Sequence, residues 1–249
     1  MAITIKSERE IELMAEAGKI LERVHNELEK ALHPGMSTKD IDTLGEKIIR
    51  SYGCIPSFLN YNGYPASICV SVNQEVVHGI PDKHRIIHEG DIVSLDAGVI
   101  YKGYHSDAAR THAVGEVSEE AKKLIQVTKE CFFEGIKYAK AGNHLFDISG
   151  AIGRYAEERG YGVVRDLCGH GIGTALHEAP EIPNYEVGRK GVKLRPGMTL
   201  AIEPMINIGT YEVDWLDDDW TVVTRDGSLS AHYENTILIT EGEPRILSL

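Results

Sequence analysis

Four acidic residues stand in otherwise apolar, strand-forming stretches: Asp96 and Asp107 in GDIVSLDAGVIYKGYHSDAART (90–111), Glu203 in LAIEPM and Glu234 in HYENTILI. A carboxylate in such a setting is costly to bury unless something positive meets it. Four of them at one place would force several to hold protons. Divalent metal meets both demands, and the number of acids suggests two ions sharing bridging carboxylates. The first pair can be placed by counting. A two-residue turn at Lys102-Gly103 pairs Tyr101 with Tyr104 and sets Asp107 opposite Gly98. Asp96, two residues from Gly98, then projects from the same face as Asp107, across a diagonal of roughly 7–8 Å. The missing side chain at Gly98 leaves room between them. The competing reading has both aspartates facing solvent on an edge hairpin. Against it, Asp96 lies between Leu95 and Ala97 in a run with no clean polar alternation.

Histidines supply the complementary chemistry. CGHGIGTALHEAP places His170 and His177 in a glycine-rich stretch, where the backbone can approach a neighbour closely and a regular helix is disfavoured. Most of the eleven histidines suit the surface or the core; these two follow the strand expected beside the carboxylates. His78, in VVHGIP, is the third candidate. The same stretch is a poor dinucleotide loop, because no third glycine or alanine falls in register after GIG.

Positioning such a set requires a sheet backed by helices. Ser7-Glu8-Arg9-Glu10 fits a capping box, and Ile11, Met14, Ala17, Leu21, Val24 and Leu28 recur at helical spacing until HPG. A second helix begins near Ser37 and runs through Ile41, Leu44 and Ile48 to Gly53. The turn-rich NYNGYP, the strand ASICVSVN and the hairpin follow. SEEAKKLIQVTKECFFEGIKYAKAG and LFDISGAIGRYAEERG then read as two more helices, before YGVVRDLCGHGIG and the strands GMTLAIEPMINI and SAHYENTILIT. The second half repeats the first at an offset of 107 residues: Gly35 with Gly142, Asp40-Ile41 with Asp147-Ile148, Gly53 with Gly160, Gly90 with Gly197. Six residues past the last pair stand Asp96 and Glu203. The fold class expected is α+β, with duplicated helix-helix-strand halves (roughly 7–113 and 118–240) in one domain over 1–249. A pseudo-two-fold between them sets equivalent acids face to face in a central antiparallel sheet.

Composition narrows the function. Hydrophobic residues make up 42% and charged residues 26%, ordinary for a globular chain, and the net charge of −12 argues against a basic nucleic-acid-binding face. No stretch is long and apolar enough to span a membrane. The opening MAITIKSERE lacks the apolar core of a secretory signal. Cys54, Cys69, Cys131 and Cys168 contain no CxxC pair and read as reduced thiols, which makes the cytoplasm the expected compartment. No exposed apolar pattern asks for a partner, so a monomer is expected.

The order His78, Asp96, Asp107, His170, His177, Glu203, Glu234 resembles type I methionine aminopeptidases in their short bacterial form, within peptidase family M24. VNQEVVHGIP, GYHSDAART, GHGIG, LAIEPM and YENTI carry the resemblance over essentially the whole chain. It implies the pita-bread fold, and Asp96, Asp107, His170, Glu203 and Glu234 as ligands of two divalent ions (Co, Mn, Fe or Zn). Asp107 and Glu234 would bridge, His170 and Glu203 would complete one shell, and Asp96 the other. The implied reaction removes the N-terminal initiator methionine from peptides and nascent proteins, preferring a small second residue. In that scheme a metal-bridging hydroxide attacks the scissile carbonyl, Glu203 acts as general base and then acid, His177 stabilises the developing charge and His78 holds the peptide backbone. Ligation of the free α-amine would restrict cleavage to the first residue. The methionine pocket corresponds to Phe58, Tyr61, Tyr64, Cys69, His78, Leu176 and Trp220, although on composition alone Tyr61 and Tyr64 read as a surface turn and DWLDDDW as a solvated loop. Peptide substrates, and association with the ribosome during synthesis, are the implied partners. Two positions depart from the common pattern: Asn62 stands where histidine is frequent, and Leu176 where an aromatic is frequent. The zinc-binding amino-terminal extension of some members is not expected here.

Two alternatives share these residues. Proline-directed aminopeptidases use the same fold and ligands, usually behind a separate amino-terminal domain. A non-catalytic peptide-binding module on this fold typically loses ligands, and all five positions are filled here.

Overall fold

The computed structural model describes residues 3–249, so Met1 and Ala2 lie outside it. Its helices begin where capping chemistry starts them. Ser7 caps α1 (Glu8–Ala31), its hydroxyl accepting from the Glu10 amide while the Glu10 carboxylate accepts from the Ser7 amide. Ser37 and Asp40 do the same for α2 (Thr38–Ser51). Ser118 caps α3 (Glu119–Ile136), and the Asp147 carboxylate accepts from the His144 amide at the start of α4 (Leu145–Glu157). The helical pattern after Ser118 overran α3. From Ile136 the chain tightens, with the amides of Tyr138 and Ala139 donating three residues back, into a turn closed by Gly142.

The 107-residue offset falls on matching backbone. Gly35 and Gly142 have φ of 94° and 93°, Gly53 and Gly160 70° and 83°, Gly90 and Gly197 92° and 85°. These are left-handed conformations that favour glycine, set at equivalent points: between the two helices of each half, after the second helix, and ahead of the strands that begin at Ile92 and Thr199.

Among the described residues the strands form one nine-stranded antiparallel sheet and two small ones. Through its centre run Ile92–Tyr101, Tyr104–Ala113, Glu234–Leu238, Thr199–Ile202 and Gly169–Gly171, in that order. The hairpin has the register counted from its turn: Tyr101 faces Tyr104, Gly98 faces Asp107 and Asp96 faces Ala109. Lys102 and Gly103 both have positive φ, the turn whose twist matches the flanking strands. The two halves join where Glu234 and Asn235 pair with Ala109 and Ala108. Helices α1 and α2 pack on Val93, Leu95 and Ala97, while α3 and α4 pack on Leu200, Ile202 and Ile237. Asp96, between Leu95 and Ala97, therefore projects from the opposite face.

The second set of strands is broken where a continuous run was expected. GMTLAIEPMINI divides into Thr199–Ile202 in the main sheet and Met205–Asn207 in a small one. Pro204 cannot donate to a ladder, so the chain turns there and leaves Glu203 at the corner. SAHYENTILIT likewise divides at Tyr233 into Ser230–His232, paired with Met205–Asn207, and Glu234–Leu238. The long strand expected over YGVVRDLC shrinks to Gly162–Val163, and His170 has its own short strand, Gly169–Gly171.

Candidate functional site

The acidic strands meet at the junction of the halves, and their backbones are fastened there. The Asp107 amide donates to Thr236 Oγ1 at 2.9 Å, while its carbonyl accepts from the Thr236 and Ser248 hydroxyls at 3.0 and 3.3 Å. Arg110 reaches across the same seam, donating to the Glu234 carbonyl, to Asn235 Oδ1 at 2.6 Å and to the Ser248 carbonyl at 3.2 Å. Asn184 donates to the Glu203 carbonyl at 3.0 Å. None of these supports was anticipated. Arg110 carried a readable signal, a charged residue in the same apolar strand as Asp107; Thr236 and Asn184 carried none.

His170 is delivered by close backbone packing. A Cβ on Gly169 would lie 2.4 Å from the Ala201 carbonyl oxygen, and one on Gly171 2.2 Å from that of Ala179, so only glycine lets the strand lie there. Its Nδ1–H donates to the Gly171 carbonyl at 2.9 Å. That hydrogen bond leaves the lone pair on Nε2, which faces Glu203 Oε1 at 3.6 Å and Asp107 Oδ2 at 3.9 Å. Burial holds the ring neutral, pushing its pKa down to about 3. A neutral, oriented imidazole is the form that ligates metal.

Around it the carboxylates are under electrostatic stress. Burial is the first cause of raised pKa values for all four, with Asp107 pushed up to about 8. Asp96 is raised further by Asp107 and Glu203, Glu203 by Asp107, and Glu234 by the other three. Oδ1 of Asp96, Oδ1 of Asp107 and Oε1 of Glu234 are buried without a hydrogen-bond partner. Orphaned carboxylate oxygens beside an oriented imidazole are the donor set of a divalent-metal site, and mixed O and N ligands suit Mn, Fe, Co or Zn. Ligand atoms of Asp107, His170 and Glu234 lie within 4.8 Å of one another, as do those of Glu203, His232 and Glu234. Asp96 belongs to neither trio but lines the same cavity. His232 was missed, because a histidine in an apolar run reads as core.

That cavity, 130 Å³, also gathers the pocket residues: Phe58, Tyr61, Tyr64, Cys69, His78, Leu176, His177 and Trp220, together with Asn62. Tyr64 is not a surface-turn residue: it is 3% exposed, its hydroxyl donates to the Gly79 carbonyl at 2.9 Å, and its ring meets Trp220 edge-on at 5.1 Å. Trp220 is half-buried although the acids before it are exposed. Tyr61, also drawn from that turn, is hydrogen-bonded through its hydroxyl to His177 Nδ1 at 2.8 Å. His177 stands edge-on to His170, with ring centres 4.3 Å apart. His78 adopts φ of 60°, sits near Trp220 and is held neutral by burial, with a pKa of about 4. The gap at Gly98 serves the pocket wall: a Cβ there would meet Ser57 and Phe58 at 2.7–3.0 Å, so the glycine admits Phe58. The four cysteines are free, three buried and Cys168 partly exposed, and no helix among the described residues is long and apolar enough to cross a membrane.

Comparison with known proteins gives a consistent result. The model of metallopeptidase family M24 matches residues 12–241. A methionine aminopeptidase of Clostridium acetobutylicum is 59% identical over 247 residues, covering 99% of both chains, and methionine aminopeptidase 1 of Bacillus subtilis is 51% identical over 96% of both. The crystal structure of a methionine aminopeptidase from Thermotoga maritima superposes with a TM-score of 0.97 at 47% identity, covering 99% of each chain. A Xaa-Pro dipeptidase from Bacillus anthracis is more distant, with a TM-score of 0.78 and 27% identity over 98% of this chain and 61% of that one.

Proposed function

The chain belongs to metallopeptidase family M24, and from that premise we infer that it is a metal-dependent aminopeptidase of the pita-bread α+β fold that releases N-terminal methionine. Its substrates are peptides and nascent proteins whose second residue is small. One observation carries this reading: buried carboxylates with orphaned oxygens and a neutral His170 share a cavity with a pocket of aromatic, thiol and aliphatic walls. Soft walls of that kind suit an unbranched thioether.

Asp96, Asp107, His170, Glu203 and Glu234 would hold two divalent ions, with Asp107 and Glu234 as the shared ligands. Bound there, such ions supply Lewis acidity and let water ionise near neutral pH. The chain's own groups divide the remaining work. Glu203, whose Oε1 faces the His170 edge of the cavity, takes a proton from the attacking water and passes it to the leaving amine. His177, fixed by Tyr61, meets the charge that develops on the carbonyl oxygen. His78, in a left-handed backbone conformation beside Trp220, holds the scissile peptide. Phe58, Tyr64, Cys69, Leu176 and Trp220 receive the methionine side chain, with Leu176 and Asn62 leaving a less aromatic wall than the common pattern.

We read 1–249 as one catalytic domain with its two halves over roughly 7–113 and 118–240, acting as a cytoplasmic monomer that meets nascent chains at the ribosome. Free thiols agree with that compartment. The ion count has a direct test. Chelator-treated protein is titrated with Mn or Co while methionine release from Met-Ala-Ser is followed. Activity that returns by the second equivalent supports the assignment; full activity in the chelated protein, by elemental analysis metal-free, contradicts it.

A further inference from the structure

Glu203 stands between two imidazoles, one on each carboxylate oxygen. His170 Nε2 is 3.6 Å from Oε1, and His232 Nε2 is 3.8 Å from Oε2. The His232 ring is 2% exposed, and neither of its nitrogens has a hydrogen-bond partner. A buried imidazole left in that state is costly, and Glu203 Oε2 is an acceptor lying just beyond hydrogen-bond reach. Its place is built rather than incidental. The His232 amide donates to Thr111 Oγ1, and its carbonyl accepts from the Thr111 hydroxyl, both at 2.9 Å. Thr111 is itself hydrogen-bonded to Ser94 at 2.8 Å, and His232 pairs in register with Met205, two residues past Glu203. Both strands that set the distance between His232 and Glu203 are thus fixed.

We propose that His232 is a positioning residue for the reaction: its Nε2–H holds Oε2 of Glu203, which keeps Oε1 turned toward His170 and the ligand set. This rests on the aminopeptidase reading above. His232 touches neither the peptide nor the scissile bond in this role; it acts through the orientation of Glu203. The geometry singles out one ring atom. A glutamine amide nitrogen reaches the place of Nε2, whereas that of asparagine falls at the place of Nδ1.

The test compares wild type with His232→Gln, His232→Asn and His232→Ala. Each chelator-treated protein is titrated with Co, followed by its visible absorption, and then assayed with Met-Ala-Ser. Ala and Asn are expected to lose about 10–100-fold in Co affinity or kcat, as losses of outer-shell partners do, with KM moved by less than about threefold. Gln is expected to stay within about threefold of wild type and to keep its Co absorption spectrum. The metal-free variants should melt with the metal-free wild type, which separates positioning from folding. Equal behaviour of Gln and Asn, or a wild-type Ala variant, overturns the proposal. Should Ala fail to fold, the contrast between Gln and Asn decides alone. A wild type that binds Co but releases no methionine overturns the aminopeptidase reading, while Co affinity still decides His232; a wild type that binds no Co overturns both.

Discussion

Asp107 concentrates the chemistry of the molecule in one side chain. It is buried, its Oδ1 has no partner, its backbone is tied to Thr236 and Ser248, and its carboxylate raises the pKa of its three acidic neighbours. Removing its charge should act on function and stability in opposite directions. For Asp107→Asn, methionine release is expected to fall by more than about 100-fold, beyond what an outer-shell loss causes. The metal-free variant should melt no lower than the metal-free wild type, because a buried repulsion has gone. Steady-state assay and calorimetry on the same preparation check both; a variant that keeps its turnover contradicts the ligand assignment. Tyr61 offers a milder case. Tyr61→Phe deletes the hydroxyl that orients His177 at 2.8 Å, so kcat/KM should drop about 10-fold, worth about 1.4 kcal/mol, with no change in melting temperature.

The elements around these residues were legible where the signal is local. The Lys102-Gly103 turn determines the register of the hairpin, and the pairing of Gly98 with Asp107 follows from counting. A capping box likewise announces α1, and the helical spacing from Ser37 announces α2. Legibility failed where partners are distant in sequence. The tyrosines of NYNGYP carry turn composition, but Tyr64 is buried by Gly79 and Trp220, which no local window contains. The corner at Pro204 and the break at Tyr233 divide strands that hydropathy reads as continuous, because bending there lets each segment join a different sheet. His232 hid in the same break. The glycines flanking His170 show how tightly such placement constrains sequence. Gly171→Ala would press a methyl against the Ala179 carbonyl, 2.2 Å away, and overpacking of this kind typically costs about 1–3 kcal/mol. Denaturant unfolding should show that loss, accompanied by weaker metal binding as the His170 strand shifts. An unchanged midpoint would show that the strand yields freely.

For the molecule as a whole, the site is a local weakness that ligand binding repairs. In the metal-free chain burial raises Asp107 to about 8, and Asp96, Glu203 and Glu234 well above the ordinary carboxylate range. A group whose folded pKa is raised contributes stability below its unfolded value and loses it as pH climbs through the folded one. The metal-free fold should therefore weaken between the ordinary aspartate value of 3.8 and about pH 8, while bound ions remove that penalty. At ion concentrations about 100-fold above Kd, binding adds about 2.7 kcal/mol. In a chain of this size that is about 5–10 °C of melting temperature. Calorimetry with Mn or with chelator should show a gap that widens from pH 5 to pH 8; a gap that narrows would mean the carboxylates are relieved by something other than metal. The most direct measurement concerns the peptide. Chelator-treated protein is offered Met-Ala-Ser and Ala-Pro-Ser in parallel, with and without Mn, Co, Fe or Zn. Free methionine released only after metal is restored, with Ala-Pro-Ser left intact, is the predicted result. Metal-restored cleavage before proline, or no cleavage of either peptide with any metal, would contradict it.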